Sequence, residues 1–350
     1  MDSGIISKEI LYKTKAESAV RVKPYRTAAQ KANVRNLILL AVIVLAVCGL
    51  YLMVNSYPDN PRLLRYVLSL RIPTLVVMLI AAFAIGGASI VFQSIINNRI
   101  VTPCLLGMNS MYTLVHTGVV FVVGSGSIIA TNTNLAFAVD LVVMGVMATF
   151  VYSWMFKKTR NNVLYVLLIG TVLSSFFGSI QSTMIRVMDP NEYDALLATL
   201  VADFNNVNSE VILFSLLLIG ALVIFLWKDL KLLDVITLGK DQAVNLGVDY
   251  DRTVRRLMLG VVLCIAVATA MVGPISFLGL IIANLARQLL KTHKHSHLII
   301  GAALMGMLAI IAGQLISQHV FSYAVPVSTF ITIGGGIYFL YLLLVKKGGI

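Results

Sequence analysis

Few side chains in this sequence are equipped for bond chemistry. No GxxxxGK[ST] stretch is present to cradle nucleotide phosphates, and no HExxH or GxSxG sets up a metal-bound water or an activated serine. His293, His295 and His297 alternate within Lys-Thr-His-Lys-His-Ser-His, a spacing that could offer imidazoles to zinc or copper if the segment is extended. Lys291 and Lys294 alongside disfavour a cation, and a solvated turn is the plainer reading. Asp140 is the only acid inside a long apolar run. A carboxylate there could couple ion or proton movement, but near the end of its run it can reach the interface. His116 and His319 read as isolated, hydrogen-bonded structural residues. Cys48, Cys104 and Cys264 show no CxxC spacing and read as small apolar packing residues. The sequence therefore points to no catalytic residue, no resident metal and no cofactor.

The elements that carry these residues are apolar. Charged residues make up 12% of the 350-residue chain, about half the usual share of a soluble domain, and the mean hydropathy is +0.91. Ten windows approach the roughly 20 apolar residues that a bilayer crossing needs: 37–54, 74–96, 103–123, 135–156, 163–187, 210–227, 257–273, 275–290, 298–317 and 326–345. The expected fold is an all-α polytopic membrane protein of about ten transmembrane helices. Residues 1–36 form a basic cytoplasmic tail without a signal-peptide core, and 37–350 form the membrane domain. The chain holds 27 Lys+Arg against 15 Asp+Glu, a formal +12. With both termini in the cytoplasm, only Arg62, Arg65, Arg71 and Arg186 fall outside, which satisfies the positive-inside rule. The basic excess is thus accounted for by topology and calls for no nucleic-acid partner.

Two segments have patterns suited to contact with something else. The longest cytoplasmic loop, 228–256, contains Leu238-Gly239, Ala243 and Leu246-Gly247. Glycines can turn or end a helix, and Ala243 and Leu246, three apart, would share one face. A short helix with a small apolar face could enter a groove in another protein or pack on its own bundle. In the fifth window Gly170, Ser174, Gly178 and Ser182 recur every fourth residue, which permits close helix packing or lines a path for a bulky solute. Gln93, Gln181 and Gln314 read as interhelical hydrogen-bonding residues.

The spacing LGxxxAxxLGV at 238–248 resembles the cytoplasmic loop of FecCD/BtuC-type permeases of ABC importers. Other pieces follow in that family's order. Arg71-Ile-Pro resembles RLPR, and Gly86-Gly87-Ala88 with Gln93, Asn98 and Pro103 resembles GxxxQxxxxNPLAxP. Leu106-Gly107 with Ser110 resembles LGxxxG, Gly273-Pro-Ile-Ser-Phe-Leu-Gly-Leu280 with Arg287 resembles GPIxFVGL and its closing arginine, and Val325-Pro326 resembles the final LPVG. Thr74, Arg99, Met111, Ala283-Asn284 and Ser317 depart from the family pattern. Asn97-Asn98-Arg99-Ile-Val-Thr-Pro103 and Ala283-Asn284-Leu-Ala-Arg287 resemble the iron–siderophore branch, particularly its catechol-type members.

The resemblance implies a multi-pass subunit of the bacterial inner (cytoplasmic) membrane that moves ferric siderophore inward. It implies a second permease subunit, a heterodimer being favoured, and two ABC ATPase subunits gripping Leu238, Gly239, Ala243, Leu246 and Gly247. An extracytoplasmic substrate-binding protein would dock near Arg62, Arg65 and Arg71, and Gly170, Ser174, Gly178 and Ser182 would border the translocation path. A cobalamin or haem permease of the same superfamily is the alternative within this class. A non-transporting membrane scaffold or signalling subunit is the alternative outside it.

Overall fold

The computed structural model describes residues 30–54, 59–159, 163–205 and 209–345. Most of the expected basic tail, and the last five residues of the expected membrane domain, lie outside the described residues. Helix and loop account for the described residues, with no strand among them.

The chain begins with α1 (Gln30–Met53). α2 (Pro61–Ile96) follows; Asn60 accepts from the amides of Arg62 and Leu63, Pro61 occupies the first turn, and Asn97 in a left-handed conformation stops it. A 3-10 turn (Pro103–Leu106) leads to α3 (Met108–Val123), the short α4 (Ile128–Thr131) and α5 (Thr133–Thr159). Next come α6 (Val163–Val187) and α7 (Pro190–Leu200), whose first turn is capped by Asp189. α8 (Ser209–Ile236), α9 (Lys240–Asn245), α10 (Tyr250–Val272), α11 (Leu278–Leu289), α12 (His295–His319) and α13 (Val327–Val345) complete it.

Among the described residues, seven helices are long and apolar enough to cross a membrane: α1, α2, α5, α6, α8, α10 and α12. The expected windows 103–123, 275–290 and 326–345 fall on shorter apolar helices. α11, with 12 residues, rises only about 18 Å, short of a bilayer core of about 30 Å. The cause lies in the sequence before it. Gly273 has φ of +87° and Phe277 of +60°, so 273–277 cannot continue a helix.

Two other boundaries differ from expectation. α2 begins at Pro61, well ahead of the window at 74, and runs through Pro73; its 36 residues span about 54 Å and project beyond the apolar layer. α8 continues past Trp227 to Ile236, and α10 starts at Tyr250. The loop expected over 228–256 is therefore 237–249, carried on two helical legs.

α2 and α10 form the centre. Val77, Met78, Ala81, Ile265, Ala266 and Ala268 are fully buried, in one continuous core. Gly86 allows α2 to meet α12 closely: a Cβ there would lie 3.0 Å from the backbone of Ala302. Cys104 is buried, Cys48 and Cys264 are partly buried, and all three are free thiols, in keeping with packing roles.

Candidate functional site

Three surfaces carry the residues singled out by the sequence. The first is the turn between α8 and α10. Gly239 and Gly247 have φ of +102° and +82°, and neither has an atom within 4 Å of where a Cβ would stand. Backbone conformation, and not space, requires glycine at both. Between them α9 forms, and the Val248 amide donates to the Ala243 carbonyl at 3.0 Å. Asp249 then caps α10 through the Arg252 amide at 3.1 Å. Lys240 Nζ pairs with Asp251 at 2.9 Å, and that hydrogen bond, with the carboxylate's charge, raises the lysine pKa. The expected shared face of Ala243 and Leu246 is corrected here. Ala243 is wholly buried, whereas Leu238, Val244 and Leu246 are each more than half exposed. With only six residues in α9, the turn closing at Gly247 swings Leu246 away from the face that Ala243 buries. The exposed apolar surface of the turn is Leu238–Val244–Leu246, and Ala243 anchors it from beneath.

The second surface is α6. Gly170 is buried, and a Cβ there would come within 2.6 Å of Leu106 Cδ2. A Cβ on Gly107 would come within 2.8 Å of Ser174 Oγ. Gly170 and Ser174 therefore sit in the seam between α6 and the 3-10 turn, which Tyr152 fastens by donating to the Leu106 carbonyl at 3.0 Å. Gly178 has open space around its Cβ position, and Ser182 is exposed. The fully exposed row lies one residue later: Thr171, Ser175, Ser179 and Thr183. Ser175, Ser179 and Thr183 each donate to the carbonyl four residues back, at 3.1, 2.9 and 2.9 Å. Their protons are spent on their own backbone, leaving oxygen lone pairs outward. Sequence periodicity alone cannot choose between two adjacent rows of the same spacing. Gln181 turns inward to α3, accepting from Thr113 at 2.9 Å and donating to Thr117 at 3.2 Å, as an interhelical role requires.

The third surface is the start of α2. Arg62 and Arg65 are exposed, and no carboxylate pairs with either among the described residues. Arg71 differs. It is 9% exposed, and its Nη1 donates to the carbonyls of Tyr51 at 2.9 Å, Leu52 at 3.4 Å and Val54, with the guanidinium over the Tyr51 ring. It holds the carbonyls at the end of α1 that have no helical partner, so its placement in a docking surface is corrected to a structural tie.

The remaining motif residues converge on the segment after α2. Gln93 Nε2 and Asn284 Nδ2 both donate to the Arg99 carbonyl at 2.9 Å. Arg287 donates to Ser94 Oγ at 3.1 Å. Two motifs nearly 200 positions apart thus build one corner, joined by Arg287 and by Asn284, a departure from the family pattern. At the other end of α10, a Cβ on Gly273 would lie 3.0 Å from Ala202 Cα, and the Asp203 amide donates to the Val272 carbonyl at 2.9 Å.

Two polar residues are not where the sequence suggested. Asp140 does not reach the interface: it is 3% exposed and bonds His116 Nδ1 at 2.6 Å. His295 is not a solvated turn residue but is buried, with its Nδ1 2.5 Å from Asp234. No group of three or more His, Cys, Asp or Glu able to hold a metal occurs among the described residues.

The FecCD transport family model matches residues 36–345. The chain belongs to the FecCD transport family. Within curated proteins, this FecCD member is 39% identical over 279 residues to the petrobactin import system permease protein YclO of Bacillus subtilis (strain 168), covering 80% of this chain and 89% of that one. It is 33% identical over 312 residues to the petrobactin import system permease protein FatC of Bacillus anthracis, covering 88% and 87%. A solved metal-chelate type ABC transporter in an inward-facing conformation shares the fold with a TM-score of 0.72 at 21% identity, covering 90% of this chain and 100% of that chain.

Proposed function

We propose that this FecCD member is the transmembrane permease subunit of an ABC importer that moves ferric siderophore into the cytoplasm, powered by separate ATPase subunits. The observation that carries the reading is the α8–α10 turn: a six-residue helix set between two positive-φ glycines, with Leu238, Val244 and Leu246 exposed. An apolar knob on two rigid helical legs suits a groove in a soluble motor, and the chain has no phosphate-binding loop of its own. The siderophore class is supported by the 39% and 33% identity to two petrobactin import permeases.

In this reading the subunit lies in the bacterial cytoplasmic membrane with both termini inside, the non-helical segment 273–277 and α11 together making one of the crossings. Two permease chains, favoured as a heterodimer, face each other across α6, where Gly178, Ser182 and the hydroxyl row Thr171–Thr183 border the path. Such a row offers acceptors to a polar solute without binding it tightly enough to hold it. Arg62 and Arg65 meet acidic residues of an extracytoplasmic binding protein, while Arg71 keeps α1 in place behind them. Leu238, Gly239 and Leu246–Gly247 form the ATPase contact, with Ala243 supporting it. The subunit makes and breaks no covalent bond; it transmits the motor's movement to the path.

A deletion strain supplied with one iron source at a time tests this. Growth on ferric petrobactin or a related siderophore should fail and return with the gene. Unchanged growth on every siderophore, with loss of growth dependent on cobalamin or haem, would reassign the solute.

A further inference from the structure

A cavity of about 360 Å³ opens between α8 and α12, with α2 and α10 behind it; transport as proposed above makes no use of it. α2 hollows it out by presenting Ala84, Gly87 and Ala88. A Cβ on Gly87 would meet only Ile299 Cγ2, at 3.7 Å, so the glycine leaves room that a larger side chain would fill. Val91, Leu230 and Val261 make the remaining wall apolar. Polar groups gather at one end, where Trp227, Lys231, Asp234 and Ser296 line the cavity and are exposed. α8 is uncharged from 211 to 227, and Lys228, Asp229 and Lys231 follow. The mouth therefore stands where hydrocarbon gives way to headgroups, the level at which tryptophan and snorkelling lysine concentrate. An apolar hollow with its polar end at that level has the form of a site for an amphiphile.

The charges select the headgroup. Lys231 and Asp234 are three apart on α8, a spacing at which opposite charges ordinarily pair. They form no ion pair with each other. Lys231 Nζ stands 5.2 Å from the centre of the Trp227 ring, and no carboxylate pairs with it among the described residues. Asp234 Oδ1 accepts from the His295 amide at 2.9 Å and lies 2.5 Å from His295 Nδ1, while Oδ2 has no hydrogen-bond partner among the described residues. The neighbouring Asp229 is buried and faces Arg256 at 3.8 Å. The mouth thus offers one cation and one free carboxylate oxygen side by side, complementary to a phosphate and a primary ammonium two carbons apart.

We propose that this groove is a site for one phosphatidylethanolamine molecule of the surrounding bilayer, with an acyl chain in the hollow, its phosphate at Lys231 and its ammonium at Asp234 Oδ2. A choline headgroup has no N–H to donate to the carboxylate, and a glycerol headgroup brings no cation to it. Both still carry the phosphate that Lys231 meets. The assignment is independent of which solute the chain transports.

The two tryptophans of the chain, Trp154 and Trp227, allow the site to be read separately from bulk lipid, because Trp154 is half exposed on a different apolar surface. The full chain carrying Trp154→Phe, in non-ionic detergent micelles, is titrated with phospholipids that bear brominated acyl chains and ethanolamine, choline or glycerol headgroups. Trp227 should be quenched at about threefold lower concentration of the ethanolamine lipid than of the other two, the factor that one exposed ion pair is worth. Trp154, read in Trp227→Phe, should show no headgroup preference. Asp234→Asn, which keeps an acceptor for the His295 amide, should bring the ethanolamine lipid down to the level of the others. Lys231→Gln should weaken quenching by all three. Equal quenching of Trp227 by the three headgroups, or stronger quenching by the glycerol lipid, overturns the proposal. So does the same preference at Trp154, a preference retained in Asp234→Asn, or unchanged quenching in Lys231→Gln.

Discussion

At the scale of single residues, the same side chain type does different work according to what it can reach. Arg62, Arg65 and Arg71 are equally basic in sequence, yet Arg71 spends its donors on three carbonyls at the end of α1. Arg71→Leu should therefore destabilise the protein by about 1–3 kcal/mol, the cost of stranding buried acceptors that had met a charged donor, measurable as a lowered midpoint of thermal unfolding. Charge reversal at Arg62 and Arg65 together should leave that midpoint unchanged and weaken binding-protein association, measured by titration in low salt; equal loss of stability in both variants would refute the distinction. The sequence made the basic residues plain but not the burial of Arg71, because α2 begins ahead of the apolar window and carries Arg71 against α1. His116 and Asp140 were hidden for a related reason. They lie 24 positions apart on different helices, and only the packing of α3 on α5 brings a carboxylate and an imidazole together.

At the scale of elements, the two positive-φ glycines flanking α9 set where this short helix starts and stops. Gly239→Val would force a branched side chain into a positive-φ extended backbone, φ +102° and ψ 163°, that is essentially reserved for glycine, at a cost of about 1–3 kcal/mol, and would re-aim the exposed leucines. Leu246→Asp should abolish copurification of the ATPase while membrane insertion and yield stay unchanged. Ala243→Asp should lower yield as well, because it places a charge in a fully buried position; an Ala243→Asp protein of normal stability would mean that the segment does not pack on its own bundle. The turn was legible as a short helix between glycines, and its supply of exposed leucine was legible too. The facing of Ala243 was not, since a helix of 6 residues is too short for periodicity to define a side. The same ambiguity affects α6. There, Ser179→Leu should slow transport more than Ser174→Ala if the outward row borders the path, because Ser174 is spent on the seam with Gly107.

At the scale of the molecule, composition and apolar length fixed the class before any contact was known. Helix is forced on a chain whose backbone must satisfy itself in lipid, and the apolar windows all fall on apolar helices. The short α11 and the long α2 were less legible, since left-handed residues and projection beyond the bilayer change length without changing hydropathy. What unites the three scales is a division of labour: α2 and α10 form the buried centre, α6 an exposed polar face, and α9 an exposed apolar turn on two helical legs. The central claim is that movement imposed on α9 drives siderophore transport along α6. The most direct test is ATP-dependent uptake of radiolabelled ferric petrobactin by proteoliposomes containing the permease pair, the ATPase and the binding protein. Uptake should require ATP and all components and should fall to background with Leu246→Asp. Normal uptake by that variant, or uptake indifferent to the ATPase, would contradict the account.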